Sequence, residues 1–307
     1  MTLAAVPAPP ATMASRFFLV GFLPTYTALL VLLVMIWAAD GRGTSFTRAW
    51  QVAGDLTAAQ IVFILLLTLL VAVLLVPFQL GLVRVLEGAW PAWLGGGWST
   101  RRQLRHSRAL AKASMPAAAD DLSLWTAGTA GYRLRQRYPV PEHLVRATRL
   151  GNVLAAMEDR AGRDYGLDAV IAWPRLYPLL GAEVKAVVDD RRNTLDYLAR
   201  FAVSAFVTAV ATFAIMWGEG WWLLLVLAPA VGSWLAYLGA LRAALAYGES
   251  VQTAFDLHHV DFGARFGLER PASPEAERRA HRELCDLWRQ GVPPSFTYAP
   301  APDQPRG

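Results

Sequence analysis

Residues 61–76 read IVFILLLTLLVAVLLV, sixteen positions with no charge and a single hydroxyl. They lie inside a longer charge-free run, 58–83, which as a helix spans about 39 Å, more than the roughly 30 Å hydrocarbon core of a bilayer. A run of this length and apolarity predicts a transmembrane helix. Three further runs are free of charge, at 17–39, 201–217 and 221–241. The first follows Arg16 and ends near Ala38-Ala39, as a signal peptide would. It exceeds the 7–15 residues of a secretory apolar region, however, so a retained span is expected. The third is short unless it begins near Leu195. Gly218-Glu219-Gly220 then reads as a tight turn into the fourth, with Trp217, Trp221 and Trp222 at its tip, where indoles favour the headgroup layer.

The 307-residue chain is 55% hydrophobic and only 17% charged, but these averages mix two materials. The four runs hold no charge, and the rest of the chain carries all 29 basic and 24 acidic residues, a density near that of a soluble domain. Only Lys112 and Lys185 are lysines. The lone Cys285 excludes an intrachain disulfide.

Orientation follows from where the arginines lie. Arg84, Arg101, Arg102, Arg191, Arg192, Arg200 and Arg242 flank span ends on one side, against only Arg42 and Arg48 in the first connecting loop and none in the 218–220 turn. The positive-inside rule places the long middle segment, the tail and both termini in the cytoplasm. The expected fold class is an all-α polytopic membrane protein with four transmembrane helices in two hairpins and a helical cytoplasmic region. The layout is a cytoplasmic tail 1–16, a first hairpin 17–83, a cytoplasmic helical region with interfacial segments 84–200, a second hairpin 201–241, a cytoplasmic helical tail 242–292 and a disordered tail 293–307.

Within the middle region, AWPAWLGGGW at 89–98 reads as an interfacial exit loop. Arg101, Arg102, Arg105, His106 and Arg108 follow it, and their closeness to the bilayer favours anionic lipid headgroups over nucleic acid, at about 1 kcal/mol per charge near the surface. Residues 141–165 fit one amphipathic helix, with Pro141 at its first position, Leu144, Val145, Val153, Leu154 and Met157 apolar, and Gly166 closing it. In 167–181, Asp168 is a predicted N-cap and Pro174 and Pro178 forbid a continuous helix. That segment is expected to dock on the membrane or the spans rather than enter the bilayer. Residues 183–200 read as a helix continuing into the third span, with Asp189, Asp190, Arg191 and Arg192 a solvated face. A helix over 276–288 follows Ser273-Pro274-Glu275, with Ala280, Leu284, Leu287 and Trp288 inward.

The stretches RLGNVLAAMEDRAGRDYGLDAVIAWPRLYPLL, 149–180, and AYGESVQTAFDLHHVDFGARFGL, 246–268, resemble uncharacterised multi-pass membrane proteins of high-GC Gram-positive bacteria. The resemblance implies a bacterial plasma membrane and carries no activity onto any residue.

No phosphate loop, dinucleotide fingerprint, zinc-protease motif or nucleophile elbow is present. His281 and Cys285 share a helix face, and His258, His259 and Asp261 cluster, but neither set completes a metal site, so packing is expected and no metal or cofactor is. In the fourth run Ala228, Gly232, Ala236, Ala240 and Ala244 recur every fourth position. In the third Ser204, Thr208 and Thr212 do the same, as a packing stripe or as the lining of a pore in an oligomer. Because no Asp, Glu, Lys, Arg or His lies within any run, a proton-coupled transporter is not expected. The functional expectation is a non-catalytic scaffold or regulator whose cytoplasmic helices bind a partner or a neighbouring subunit. The alternative is an oligomeric channel or permease, and the third reading is a lipid-interface enzyme built on Asp168, Asp189, Asp190, His258 and His259.

Overall fold

The computed structural model describes residues 23–39, 44–88, 90, 95–116 and 120–296. The expectations for 1–16, for the start of the first run at 17–22, for Trp93 and for 297–307 lie outside the described residues. Among the described residues every element is helical, and ten α-helices are joined by short 3-10 turns. Three helical stretches are long and apolar enough to cross a membrane, which marks a membrane protein. The helix of the first run is shorter, α1 at Leu23–Ala38, 16 residues.

The chain forms two compact units. Among the described residues the apolar unit takes 23–88 and 192–243. It contains α1, a nine-residue α2 (Phe46–Gly54) and α3 (Ala58–Leu86), together with the apolar parts of α8 (Ala182–Ile215) and α9 (Leu227–Arg265). Helix α3 starts at a capping box in which the Gln60 side chain accepts from the Thr57 backbone N–H (2.8 Å) and the Thr57 hydroxyl accepts from the Gln60 backbone. Only 11% of its Ala58–Leu75 stretch is buried by protein, which leaves Phe63, Leu66, Leu70 and Leu74 to be solvated by lipid. The connection between the first two runs contains a helix, α2, with Ala49 buried and Trp50 exposed.

The third run does continue an earlier helix, because α8 runs unbroken from Ala182 for 34 residues, about 51 Å. The fourth run differs from expectation at both ends. Its start, Gly220–Val226, is a 3-10 segment entered through Gly218 at φ +90°, and α9 then runs 39 residues, about 58 Å, far beyond Leu241. Inside the unit α8 and α9 pack closely: Ser233 Oγ donates to the Ala202 carbonyl (2.8 Å), and a Cβ on Gly239 would lie 3.3 Å from Leu198 Cδ1. At the other end of this pair Thr44 Oγ1 donates to Glu219 Oε2 (3.1 Å), and Phe46 meets Trp222 at 5.1 Å between ring centroids. The α1–α2 connection and the α8–α9 turn thus share one end of the unit.

Among the described residues the second, polar unit comprises 90–191 and 244–296. Its helices are α4 (Gly96–Ala113), α5 (Asp121–Arg137), α6 (Arg149–Arg160), α7 (Ala169–Leu176) and α10 (Pro274–Gln290), with the first turns of α8 and the second half of α9. Trp173 is buried at the centre, 5.9 Å from the Phe255 ring and 5.8 Å from the Tyr177 ring, among Leu150, Leu176, Val188, Val251 and Phe262. Trp173, Leu176 and Tyr177 of 167–181 are buried by protein within this unit.

The single helix expected over 141–165 is in fact three pieces: a 3-10 turn Glu142–Leu144, α6, and a 3-10 turn Arg163–Tyr165. The break is built by Asn152, fully buried, whose Oδ1 accepts from Arg146 N (2.7 Å) while Nδ2 donates to the Arg146 and Thr148 carbonyls (3.0 and 2.8 Å). Thr148 caps the helix, its hydroxyl accepting from Gly151 N (3.0 Å), so the first helical position is Arg149 and not Pro141. Likewise Pro174 lies inside α7, which ends two residues later at Leu176 and passes into the 3-10 turn containing Pro178.

Candidate functional site

The polar unit contains a cavity of about 810 Å³ between α6–α7 and α10, well within the 300–1,000 Å³ range of small-molecule sites. Its geometry follows from local rules. Helix α6 ends at Ala161, and Gly166, in the left-handed region at φ +78°, turns the chain back so that Asp168 caps α7, its Oδ1 accepting from Val170 N (2.9 Å) and Ile171 N (3.4 Å). A Cβ at Gly166 would lie 2.3 Å from the Arg278 carbonyl oxygen, so the turn and α10 touch backbone to backbone. Helix α10 begins at Ser273, whose hydroxyl accepts from Ala276 N (3.2 Å). Positions 278, 282, 285 and 289 fall at i, i+4, i+7 and i+11 on one face, and all four line the cavity.

Arginine–carboxylate pairs line the walls. Arg146 pairs with Glu158 (2.7 Å), Arg163 with Asp159, and Arg289 with Asp168. The Glu158 side chain is only 15% exposed, and burial pushes its carboxyl above the ordinary glutamate value, a shift that Arg146 opposes. Arg278 donates to the exposed Glu275 (2.9 Å). Arg282 places its Nε on the Arg278 carbonyl (3.0 Å) and pairs with no carboxylate among the described residues. Cys285 is buried, its thiol raised by burial and its sulfur accepting from Asp168 N (3.4 Å).

Beside the cavity, the ring of Tyr165 stacks on His259 at 3.8 Å and donates its hydroxyl to Asp256 (3.0 Å). Burial first, and Asp256 second, push its phenol up to about 12. His259 Nδ1 meets Glu277, and His281 Nδ1 meets the Tyr165 carbonyl (2.9 Å). Burial lowers the His281 imidazole below its usual value despite that carbonyl and Glu277. His281 and Cys285 therefore share an inward face, as their spacing implies, but each has a backbone partner.

The other sequence candidates are dispersed. His258 Nδ1 faces the Ala254 carbonyl (3.1 Å), Asp261 lines a smaller cavity of about 370 Å³, and Asp189 accepts from the Tyr177 hydroxyl (2.7 Å). No group of three His, Cys, Asp or Glu side chains able to hold a metal occurs among the described residues. Arg101, Arg102, Arg105 and Arg108 are exposed along α4. Arg102 lies 5.9 Å from the exposed Trp98 ring, and Arg108 forms a two-pronged pair with Glu142 (2.8 and 2.7 Å). Ser204, Thr208 and Thr212 are buried inside the apolar unit, with Thr208 Oγ1 donating to the Ser204 carbonyl (2.8 Å). Along α9 Ala228 is exposed, Gly232 half-buried, and Ala236 and Ala240 buried.

Sequence reasoning missed the cavity. The usable signal was the spacing of Arg278, Arg282 and Arg289 on one helix face, whereas the opposing Arg146 and Arg163 depend on the break between 141 and 165. The chain matches no protein-family model, no curated protein and no solved structure. Fold and site together define an all-helical membrane protein with a separate polar helical unit that holds an arginine-lined cavity.

Proposed function

We propose that this is a multi-pass protein of a bacterial plasma membrane, similar to those of high-GC Gram-positive bacteria. Four spans in two hairpins leave both termini in the cytoplasm, and the protein acts as a non-catalytic regulator or scaffold whose cytoplasmic helical unit binds a partner. The cavity between α6–α7 and α10 is the observation that carries this reading, since it gives the polar unit a concave, charge-lined surface of its own. The topology is supported by the bond from Thr44 to Glu219, which sets both connections at one end of the apolar unit, with the exposed Trp50, Trp217 and Trp221 suited to the outer headgroup layer. Arg101, Arg102 and Arg105 beside Trp98 suit anionic headgroups of the inner leaflet. The channel reading draws no support from Ser204, Thr208 and Thr212, because the chain's own helices already cover them.

Hydrogen exchange of the full-length protein in lipid nanodiscs, with and without the protein and small-molecule fractions of a cell extract, tests the binding. Protection of 144–171 and 278–289 by one fraction is expected. No protection at the cavity by either fraction refutes the reading.

A further inference from the structure

The cavity's charges narrow what it takes. Five guanidinium groups and four carboxylates line it. Three of those carboxylates, Glu158, Asp159 and Asp168, are already held by Arg146, Arg163 and Arg289. That leaves Arg278 and Arg282, one helical turn apart on the same face of α10, with Asp286 as the one remaining carboxylate. Among the described residues the Arg278 guanidinium pairs only with Glu275, whose side chain is 71% exposed, a pair of the kind that contributes little and exchanges readily. Arg282 is anchored through Nε to the Arg278 carbonyl, which fixes the stem and leaves its two terminal nitrogens for a ligand. Two guanidinium forks so placed suit one tetrahedral anion with several acceptor oxygens. A monocarboxylate would only duplicate what Glu158, Asp159 and Asp168 supply, whereas a phosphate carries up to two charges and can bridge both forks. Next to them Leu144, Val170 and Ile171 give an apolar wall, and the volume exceeds what a bare oxyanion fills.

The geometry points to a phosphate-bearing ligand, its phosphate gripped by Arg278 and Arg282 and its organic portion lying against Leu144, Val170 and Ile171. This rests on the reading that the cavity is the working site of the helical unit. The phosphate belongs either to a soluble ester or to a lipid headgroup, and the two sources are separable.

The test uses the full-length protein in phosphatidylcholine nanodiscs and reads the labelling rate of Cys285, the only cysteine and part of the cavity wall. Inorganic phosphate and adenosine monophosphate are titrated at constant ionic strength, and a parallel sample carries phosphatidic acid in the nanodisc. At least threefold, saturable slowing by a phosphate-bearing probe is expected, with chloride inert. Arg282→Gln should weaken it tenfold or more, while Arg279→Gln, off the cavity face, leaves it unchanged. Slowing by the soluble probes identifies a soluble ester; slowing by phosphatidic acid alone identifies a headgroup. No slowing by any of the three, or equal slowing in Arg282→Gln, overturns the proposal. If an extract fraction still protects the cavity in hydrogen exchange, the ligand class has failed and the proposed function has not.

Discussion

Replacing Gly166 by alanine perturbs the one place where the cavity's two walls meet backbone to backbone. The left-handed conformation at φ +78° costs a non-glycine residue about 1–2 kcal/mol. The added Cβ would also sit 2.3 Å from the Arg278 carbonyl oxygen and 2.7 Å from its Cα, neither of which can swing aside as a side chain would. Restoring van der Waals separation takes a shift of roughly 1 Å, and a gap of that size forfeits a quarter to a half of the dispersion well of the atoms it separates. His281, Leu284 and Cys285 are the residues α10 buries, so loosening them adds about 1–2 kcal/mol. The total is about 2–4 kcal/mol for undocking α10, equivalent to roughly a 30- to 1,000-fold rise in the open population. Maleimide labelling of buried Cys285 in the intact protein under native conditions reads that population directly. Gly128→Ala is the control: its Cβ would meet nothing within 4 Å in an exposed helix interior, so labelling stays at the wild-type rate while overall stability rises by about 0.5–1 kcal/mol. A Gly166→Ala rate within threefold of wild type refutes the backbone contact.

Three further outcomes follow from buried groups. His281, lowered by burial and by the neighbouring His259 against the Tyr165 carbonyl and Glu277, is neutral in the fold while the unfolded imidazole near pH 6.5 takes a proton; its stabilisation is therefore full above about pH 6.5 and lost as pH falls through the lower folded value. Thermal unfolding followed from pH 7.5 to 5.5 checks this, and His281→Gln should flatten the profile. Arg146→Ala leaves the buried Glu158 without its partner and costs about 1–3 kcal/mol at pH 8 in denaturant unfolding. The cost shrinks toward pH 4.5, because a carboxyl raised in the fold is stabilised protonated and loses that advantage as pH rises. Thr212→Val removes a buried hydroxyl with no hydrogen-bond partner among the described residues, so thermal unfolding in detergent is expected to stay unchanged or move slightly upward.

Much of the framework is written in local signals. The charge-free stretch at 58–75, the Thr57, Asp168 and Ser273 caps, and the continuity of α8 each depend on residues close in sequence, and they appear where those residues place them. The failures are of another kind. Periodicity from Leu144 to Met157 reports which side is apolar but is blind to Asn152 paying out hydrogen bonds to the chain before α6, which is what breaks the helix. Arg242 ends an apolar run without ending a helix, since backbone hydrogen bonding is indifferent to the change of solvent that Arg242 marks. The cavity required α6, α7 and α10, distant in sequence, to meet, which no local pattern announces.

The central claim, a polar helical unit held on the cytoplasmic face by two hairpins, is tested most directly by cysteine accessibility in intact cells. In a Cys285→Ser background, single cysteines at Asp55 and Trp217 report the two connections, and one at the exposed Arg105 reports the helical unit. The account predicts that a membrane-impermeant maleimide labels Asp55→Cys and Trp217→Cys from outside, and Arg105→Cys only after permeabilisation. Labelling of Arg105→Cys from outside, or of Asp55→Cys and Trp217→Cys from opposite sides, contradicts it.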